Sequence, residues 1–121
     1  MARFEIEGNE YELKLTYASV EYLNGLYKGG SFELIGKALM GDLEAFPNIV
    51  HAGLFHTGKN FSIKKVRAAI EAAISEEKID MDEIMKISNE VVTKSFFYKK
   101  TVEKILKKDP KTAELIADLL K

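Results

Sequence analysis

The first sixteen residues alternate apolar and polar side chains in two short runs, which is the pattern of β-strands with one buried face. The apolar members of the two runs are Phe4, Ile6, Tyr11, Leu13 and Leu15. Between the runs lie Gly8 and Asn9, which tolerate the positive φ of a tight turn. Residues 1–16 are therefore predicted to form a β-hairpin. Because an isolated hairpin is only marginally stable in water, its apolar face must pack on helices or on another subunit, which leaves a homo-oligomer open.

Beyond residue 16, apolar residues recur every three or four positions, which predicts helices through the rest of the chain. Gly29-Gly30 is predicted to end the first helix, and Ser31 is predicted to cap the second. Pro47 suits the first turn of a third helix. Ser62 is predicted to cap a fourth, strongly amphipathic helix.

One long helix is predicted to begin at Asp80 or Asp82, because a single face then carries a continuous apolar stripe. The residues of that stripe are Ile84, Ile87, Val91, Tyr98, Val102 and Ile105. A last helix is predicted after Asp109. The predicted fold class is α+β and mostly α, a single domain over residues 1–121. Its hairpin is followed, in residues 17–121, by a small bundle of about five or six helices.

The composition is that of an ordinary soluble globular protein, with 46% hydrophobic and 31% charged residues in a chain of 121. A formal net charge of −1 gives no field that would attract nucleic acid or an anionic membrane. The chain has no cysteine, which excludes disulfides and thiolate zinc sites. No apolar run approaches the roughly 20 residues that span a bilayer, and the N-terminus lacks the apolar core of a signal peptide. A cytosolic protein without membrane contact is expected.

The stretch YKGGSFELIGKALMG, residues 27–41, resembles a phosphate-binding loop because two glycines are followed by a glycine and a lysine. The spacing does not fit, because five residues separate Gly30 from Gly36 where that loop has four. Ala38 also stands where a magnesium-binding hydroxyl is required. The stretch is interpreted as the end of one helix and the start of the next.

Other candidate chemistry is equally weak. The histidines, His51 and His56, are five residues apart, whereas zinc-binding pairs on a helix are four apart. No serine lies in a G-x-S-x-G motif, and the carboxylates of residues 76–83 suit helix ends. The sequence therefore predicts no catalytic, cofactor-binding or metal-binding residue, and it favours a binding or assembly protein over an enzyme.

Lysines surround three aromatic residues in the segment 94–108. The aromatic residues are Phe96, Phe97 and Tyr98, and the lysines are Lys94, Lys99, Lys100, Lys104, Lys107 and Lys108. Basic residues interleaved with aromatic ones can bind nucleic acid, but this segment has no arginine and Glu103 interrupts it. A solvated lysine face over an aromatic core is favoured, so nucleic acid is an unlikely partner. A nucleic-acid-binding helical module is kept as a minor alternative.

Several segments, taken in order, carry a family resemblance. They are the hairpin with Ile6, Gly8, Tyr11, Leu13, Leu15 and Thr16, the HAGL segment His51–Leu54, the helix opened by Ser62, and the SFF segment Ser95–Phe97. A hairpin that runs directly into a helix, followed by these segments, resembles the short tail assembly chaperones of long-tailed bacteriophages and of prophages of Gram-positive bacteria.

The resemblance implies a non-enzymatic protein of the host cytoplasm that is absent from the finished virion. Its implied partners are the tape measure protein, whose long helices it keeps soluble, and the tail tube protein that polymerises around them. The resemblance also implies that a longer form made by ribosomal frameshifting can exist. A minor structural protein of the head–tail joint or of the tail end is the main alternative.

Two groups of residues are predicted to serve such a function. A chaperone for apolar helices needs an exposed or exchangeable apolar surface. The candidate partner-binding residues are Phe96, Phe97, Tyr98, Leu115, Ile116, Leu119 and Leu120. Gly29 and Gly30 are predicted to form a hinge at which the bundle opens for a client helix.

Overall fold

The computed structural model describes residues 2–95 and 97–108, and it places a two-stranded hairpin before six helices. The elements are β1 (Arg3–Ile6), β2 (Asn9–Glu12), α1 (Tyr17–Leu26), α2 (Gly30–Met40), α3 (Ala45–Gly53), a 3₁₀ turn (Phe55–Thr57), α4 (Ile63–Ser75), α5 (Met81–Val91) and α6 (Lys99–Lys108). The predicted α+β, mostly α fold class is confirmed. The helix predicted after Asp109 lies outside the described residues, and the assignment of residues 1–121 to one domain stays a prediction.

The hairpin turn differs by one residue from the prediction. The antiparallel register pairs Ile6 with Asn9, so Glu7 and Gly8 are the two central residues of the turn. Both have positive φ, 54° and 80°, as a type I′ turn requires. Asn9 does not take the positive φ expected of it. Its side-chain amide instead donates to the Glu7 carbonyl at 3.4 Å.

The chain after β2 leaves the ladder and ties the hairpin to the helices. The Leu13 backbone N–H donates to the Ala2 carbonyl at 2.8 Å, and the Lys14 N–H donates to the Gly53 carbonyl at 3.0 Å. A Cβ on Gly53 would lie 3.1 Å from the Cβ of Leu13, so this approach suits a glycine. Leu13 and Leu15 are buried, and the apolar face of the hairpin packs on helices of the same chain.

The predicted cap at Ser62 is confirmed, and of the two predicted helix starts, Asp80 and Asp82, the structure has the first. The Ser62 hydroxyl accepts from the backbone N–H of Lys65 at 3.1 Å at the start of α4. The Asp80 carboxylate accepts from the N–H of Glu83 at 2.9 Å at the start of α5. Both bonds satisfy an N–H that has no partner within the helix.

The predicted cap at Ser31 is wrong. Helix α2 begins at Gly30, and Gly29 occupies the capping position without a side-chain bond. The Ser31 hydroxyl donates to the side-chain carbonyl of Asn24 in α1 at 3.1 Å, so it is used between helices instead of at a helix end.

The predicted long helix is also wrong, because α5 ends at Val91 and α6 begins at Lys99. Val91–Thr93 is a run of three β-branched residues, which disfavours helix, and the Thr93 hydroxyl donates to the Asn89 carbonyl at 2.6 Å. The Ser95 hydroxyl then accepts from the N–H of Tyr98 at 3.3 Å, just before α6 begins at Lys99. The apolar stripe continues across the break, since Tyr98 and Val102 are both buried.

Helix α3 lies at the centre of the core and contacts α1, α2, α4 and α5. Phe46, Ile49 and Val50 are at most 1% exposed, and Pro47 lies in the first turn as predicted. Helices α2 and α5 contact each other and run antiparallel, because the end of α2 at Gly41 meets the start of α5, while Ser31 near the start of α2 shares the Asn24 side chain with Tyr98 beyond the end of α5. Of the helices in the described part of the chain, none is long and apolar enough to cross a bilayer.

Candidate functional site

The two histidines hold separate parts of the fold together. The imidazole Nε2 of His51 lies 2.9 Å from the Phe61 carbonyl, and its Nδ1 lies 3.4 Å from the Tyr22 hydroxyl. The Nε2 of His56 lies 2.7 Å from the Glu12 carbonyl at the end of the hairpin. Within residues 2–95 and 97–108, no group of three or more histidine or carboxylate side chains is arranged to hold a metal ion.

The predicted aromatic segment divides into one exposed and one buried residue. The Phe97 side chain is 45% exposed, and its ring packs edge-on against Tyr98 with centroids 5.0 Å apart. Tyr98 is 0% exposed, so in this conformation it cannot contact a partner directly. Its hydroxyl donates to the Asn24 side chain at 2.9 Å and fixes the start of α6 on α1. Phe96 and the four predicted contact residues in 115–120 lie outside the described residues.

Exposed lysines surround Phe97 on the segment that leads into α6. Lys94, Lys99 and Lys100 are exposed, as are Lys104 and Lys107 farther along the helix. Phe97 with Lys94, Lys99 and Lys100 is called the Phe97 surface below. It combines an apolar centre with positive charge, and its role as a partner-binding surface stays a prediction.

Glycine is favoured at positions 29 and 30 for a structural reason that does not depend on a hinge motion. Gly30 adopts a φ of +60° and its N–H donates to the Tyr27 carbonyl at 3.0 Å. A Cβ on Gly29 would lie 2.9 Å from the Cβ of Glu33 in the first turn of α2. The turn between α1 and α2 therefore favours glycine at both positions. Whether the pair is also a hinge stays a prediction.

Burial raises the pKa of Tyr98 to about 12, and a hydrogen bond with Ser31 opposes this rise. Ionisation would put a negative oxygen against the Asn24 carbonyl oxygen, which at present accepts the hydroxyl proton. In the unfolded chain the phenol loses its proton near its ordinary value of 10.0. Above that pH the unfolded state binds fewer protons than the folded state, so stability falls as pH rises towards 12.

We expect the wild-type protein to lose about 2 kcal/mol more stability between pH 10 and 12 than a Tyr98→Phe variant loses. The measurement is urea unfolding at a series of alkaline pH values. A Tyr17→Phe variant is the matched control, because Tyr17 is 75% exposed and this variant should keep the wild-type alkaline loss. Equal alkaline losses in wild type and Tyr98→Phe would contradict the prediction.

A second exposed apolar surface was missed at the sequence level. Met40 is 74% exposed, Leu43 is 61% exposed and Met81 is 45% exposed. Met81 and Met85 meet at Gly41, because a Cβ there would lie 2.8 Å from Met81 Cε and would also meet Met85, and Met40 and Leu43 are near neighbours of Gly41 in the chain. Met40, Leu43, Met81 and the partly buried Met85 form the methionine patch. Residues 44–80 separate its two halves in the chain, so its one sequence signal is that three of the four methionines belong to it.

The HAGL segment that carried the family resemblance is a junction between elements. The buried Ser19 hydroxyl of α1 donates to the Ala52 carbonyl at 2.8 Å. Gly53 accepts the N–H of Lys14 and packs on Leu13, as described above. The residues of this motif thus join α1, α3 and the hairpin, which makes them structural.

The fold is that of a small, mostly helical protein that exposes apolar side chains at the Phe97 surface and at the methionine patch. The chain matches the family model described as phage tail assembly chaperone protein, TAC, over residues 3–107. The protein therefore belongs to the phage tail assembly chaperone family, and the resemblance of its hairpin and HAGL segments to that family is confirmed. Comparisons with curated proteins and with solved structures gave no match.

Proposed function

We propose that the protein binds the tape measure protein of a phage tail and assists assembly of the tail tube around it. It acts in the cytoplasm of the bacterial host and without catalysis. The observation that carries the proposal is the family match over residues 3–107, which includes every strand and helix of the described fold apart from the last residue of α6. The tail tube protein is the second proposed partner.

The exposed apolar side chains support this role physically. A client helix that is waiting for tube subunits needs its apolar face covered, and covering it in a groove or on a patch requires complementary apolar surface. The protein offers such surface at Phe97 and at the methionine patch, which lie towards opposite ends of the antiparallel pair α2 and α5. The residues Phe96, Leu115, Ile116, Leu119 and Leu120 remain proposed contacts that the described residues do not cover.

Co-expression with the tape measure protein tests the proposal. The soluble fraction of the tape measure protein should rise several-fold, and the two proteins should co-purify. An equal amount of an unrelated helical protein of similar size is the control for general effects of expression. The proposal would be contradicted if the tape measure protein gained no solubility and did not co-purify.

Mass spectrometry of purified virions separates the chaperone from a structural tail protein. A chaperone is released as the tube closes, so its peptides should be missing from virions that contain the tape measure and tube proteins. Stoichiometric recovery of this chain from virions would favour a minor structural protein instead.

A further inference from the structure

Carboxylates flank the residues of the methionine patch along the chain. The segments 40–44 and 80–83, which carry three of its four residues, contain no lysine or arginine. Their acidic residues are Asp42, Glu44, Asp80, Asp82 and Glu83. All are exposed except Asp42, which is partly buried. Lys37 and Lys86 are the lysines of the adjoining turns, so the five carboxylates outnumber them and give the segments around the patch a negative charge; these carboxylates are called the rim below.

Two of the rim carboxylates also accept hydrogen bonds from backbone N–H groups of the fold. The Asp42 carboxylate accepts from the N–H of Ala45 at 2.8 Å, and Asp80 caps α5. Lys37 Nζ lies 4.0 Å from Asp42 and is the one cation within that distance of a rim carboxylate in the described part of the chain. The charges of Glu44, Asp82 and Glu83 thus face solvent beside the patch. Exposed carboxylates with few paired cations attract a positively charged partner and repel a negatively charged one.

Methionine suits a surface that must fit more than one apolar sequence. Its unbranched thioether side chain adapts to irregular shapes, and methionine is over-used at binding surfaces that accept several partners. The glycine at position 41 lets Met81 and Met85 lie directly on the end of α2, so the patch is continuous across two helices. Met40 and Leu43, on either side of Gly41, extend it into solvent.

We propose that the methionine patch binds the apolar face of an amphipathic helix whose face is flanked by lysine or arginine. The apolar face packs on the four patch residues, and the flanking cations lie against the carboxylate rim. The proposal rests on the proposed function only in taking the tape measure protein as the natural source of such a helix. The chemistry of the surface selects the helix whatever its source.

Three synthetic 18-residue helical peptides test the proposal with full-length protein carrying ¹³C-labelled methionine methyl groups. One peptide has a leucine face flanked by lysines, the second replaces those lysines with glutamates, and the third has the lysine peptide's composition in scrambled order. The chain has four methionines, so each methyl signal is assigned with one Met→Leu variant. The lysine peptide should shift the signals of Met40, Met81 and Met85, and it should bind at least tenfold more tightly than the other two peptides at low salt.

Surface variants locate the binding site. Leu43→Lys should weaken binding of the lysine peptide at least tenfold, because it places a cation in the apolar centre. Glu44→Lys should weaken it severalfold, and added salt should reduce that difference. Tyr17→Lys and Glu71→Lys are the matched controls, because both positions are exposed and belong to neither the patch nor its rim. Both controls should bind within twofold of wild type.

Several outcomes would overturn the proposal. Equal binding of the glutamate peptide would show that the rim does not select charge. Unshifted methionine methyl signals would place the peptide elsewhere. Signals that shift on dilution without peptide would identify a second copy of this chain as the occupant.

The same variants separate this inference from the proposed function. If the tape measure protein co-purifies equally with wild type and Leu43→Lys, the function stands and the patch is not its site. If no tape measure protein co-purifies with wild type while the lysine peptide still shifts the methionine signals, the chaperone proposal fails and the binding specificity of the patch stands.

Discussion

Replacing Tyr98 with alanine is expected to lower the free energy of unfolding by about 3–5 kcal/mol, the range for removing a large buried aromatic ring. Tyr98 is fully buried although it lies between α5 and α6, at the edge of the bundle. Its hydroxyl donates to the Asn24 side chain, which also accepts from the Ser31 hydroxyl. The Asn24 side chain in α1 is therefore bonded both to α2 and to the start of α6. Urea unfolding followed by circular dichroism measures the loss.

Two further variants show how much of this stability comes from the Tyr98 ring and how much from its hydroxyl. Tyr98→Phe keeps the ring and removes one hydrogen bond, so it should lower the free energy of unfolding by about 1 kcal/mol. Phe97→Ala removes the neighbouring ring, of which 45% is already in water, and it should have a smaller effect than Tyr98→Ala. If Tyr98→Ala were as stable as Phe97→Ala, the anchoring role of Tyr98 would be wrong.

Local signals account for the parts of the fold that could be predicted. The period of two in the hairpin and the period of three to four beyond it reflect which side chains face the core, so they give the element types directly. Ser62 could be assigned as a cap because it directly precedes an amphipathic run, whereas the start of α5 could be narrowed only to Asp80 or Asp82, since both carboxylates precede the apolar stripe. The turn at Glu7-Gly8 was placed one residue late, because the alternating pattern alone does not fix which residues of a loop are paired.

The errors at Ser31 and in the long helix both involve hydrogen bonds of polar side chains that the apolar period does not reveal. Ser31 looks like a cap, but Asn24 competes for its hydroxyl across the turn. The stripe from Ile84 to Val102 looks like one helix because its apolar residues are buried on both sides of the break. The break depends on Thr93 and Ser95, whose backbone bonds leave no trace in the apolar period.

The candidate surfaces were harder to predict than the fold. Periodicity assigns apolar residues to a core. It correctly indicated that the Tyr98 side chain faces the core, but it gave no reason for the Phe97 side chain to face solvent. The methionine patch requires the antiparallel pairing of α2 with α5, which brings Met81 to Gly41. No local pattern contains that pairing, so the patch could be found only from the structure.

Replacing Ser19 with alanine is expected to lower the free energy of unfolding by about 2–3 kcal/mol, although it removes a single oxygen atom. Ser19 is 0% exposed and belongs to a capping box, in which its hydroxyl accepts the Thr16 N–H at 3.1 Å. The same hydroxyl donates to the Ala52 carbonyl at 2.8 Å. Alanine therefore removes the reciprocal bond of the capping box, although the Thr16 hydroxyl can still accept the backbone N–H of residue 19. It also leaves the buried Ala52 carbonyl and the partly buried Thr16 N–H without this partner.

Ser62→Ala is the matched control for that prediction. Ser62 caps α4 at an exposed position with one hydrogen bond, so its loss should lower the free energy of unfolding by about 1 kcal/mol. An effect of Ser19→Ala no larger than this would mean that the bond to Ala52 adds nothing. Because Ala52 belongs to the HAGL segment, the larger effect would assign that family motif to the junction of α1 with α3.

Binding of the lysine peptide by the folded Ser19→Ala protein should then equal that of wild type, since the methionine patch lies on other elements.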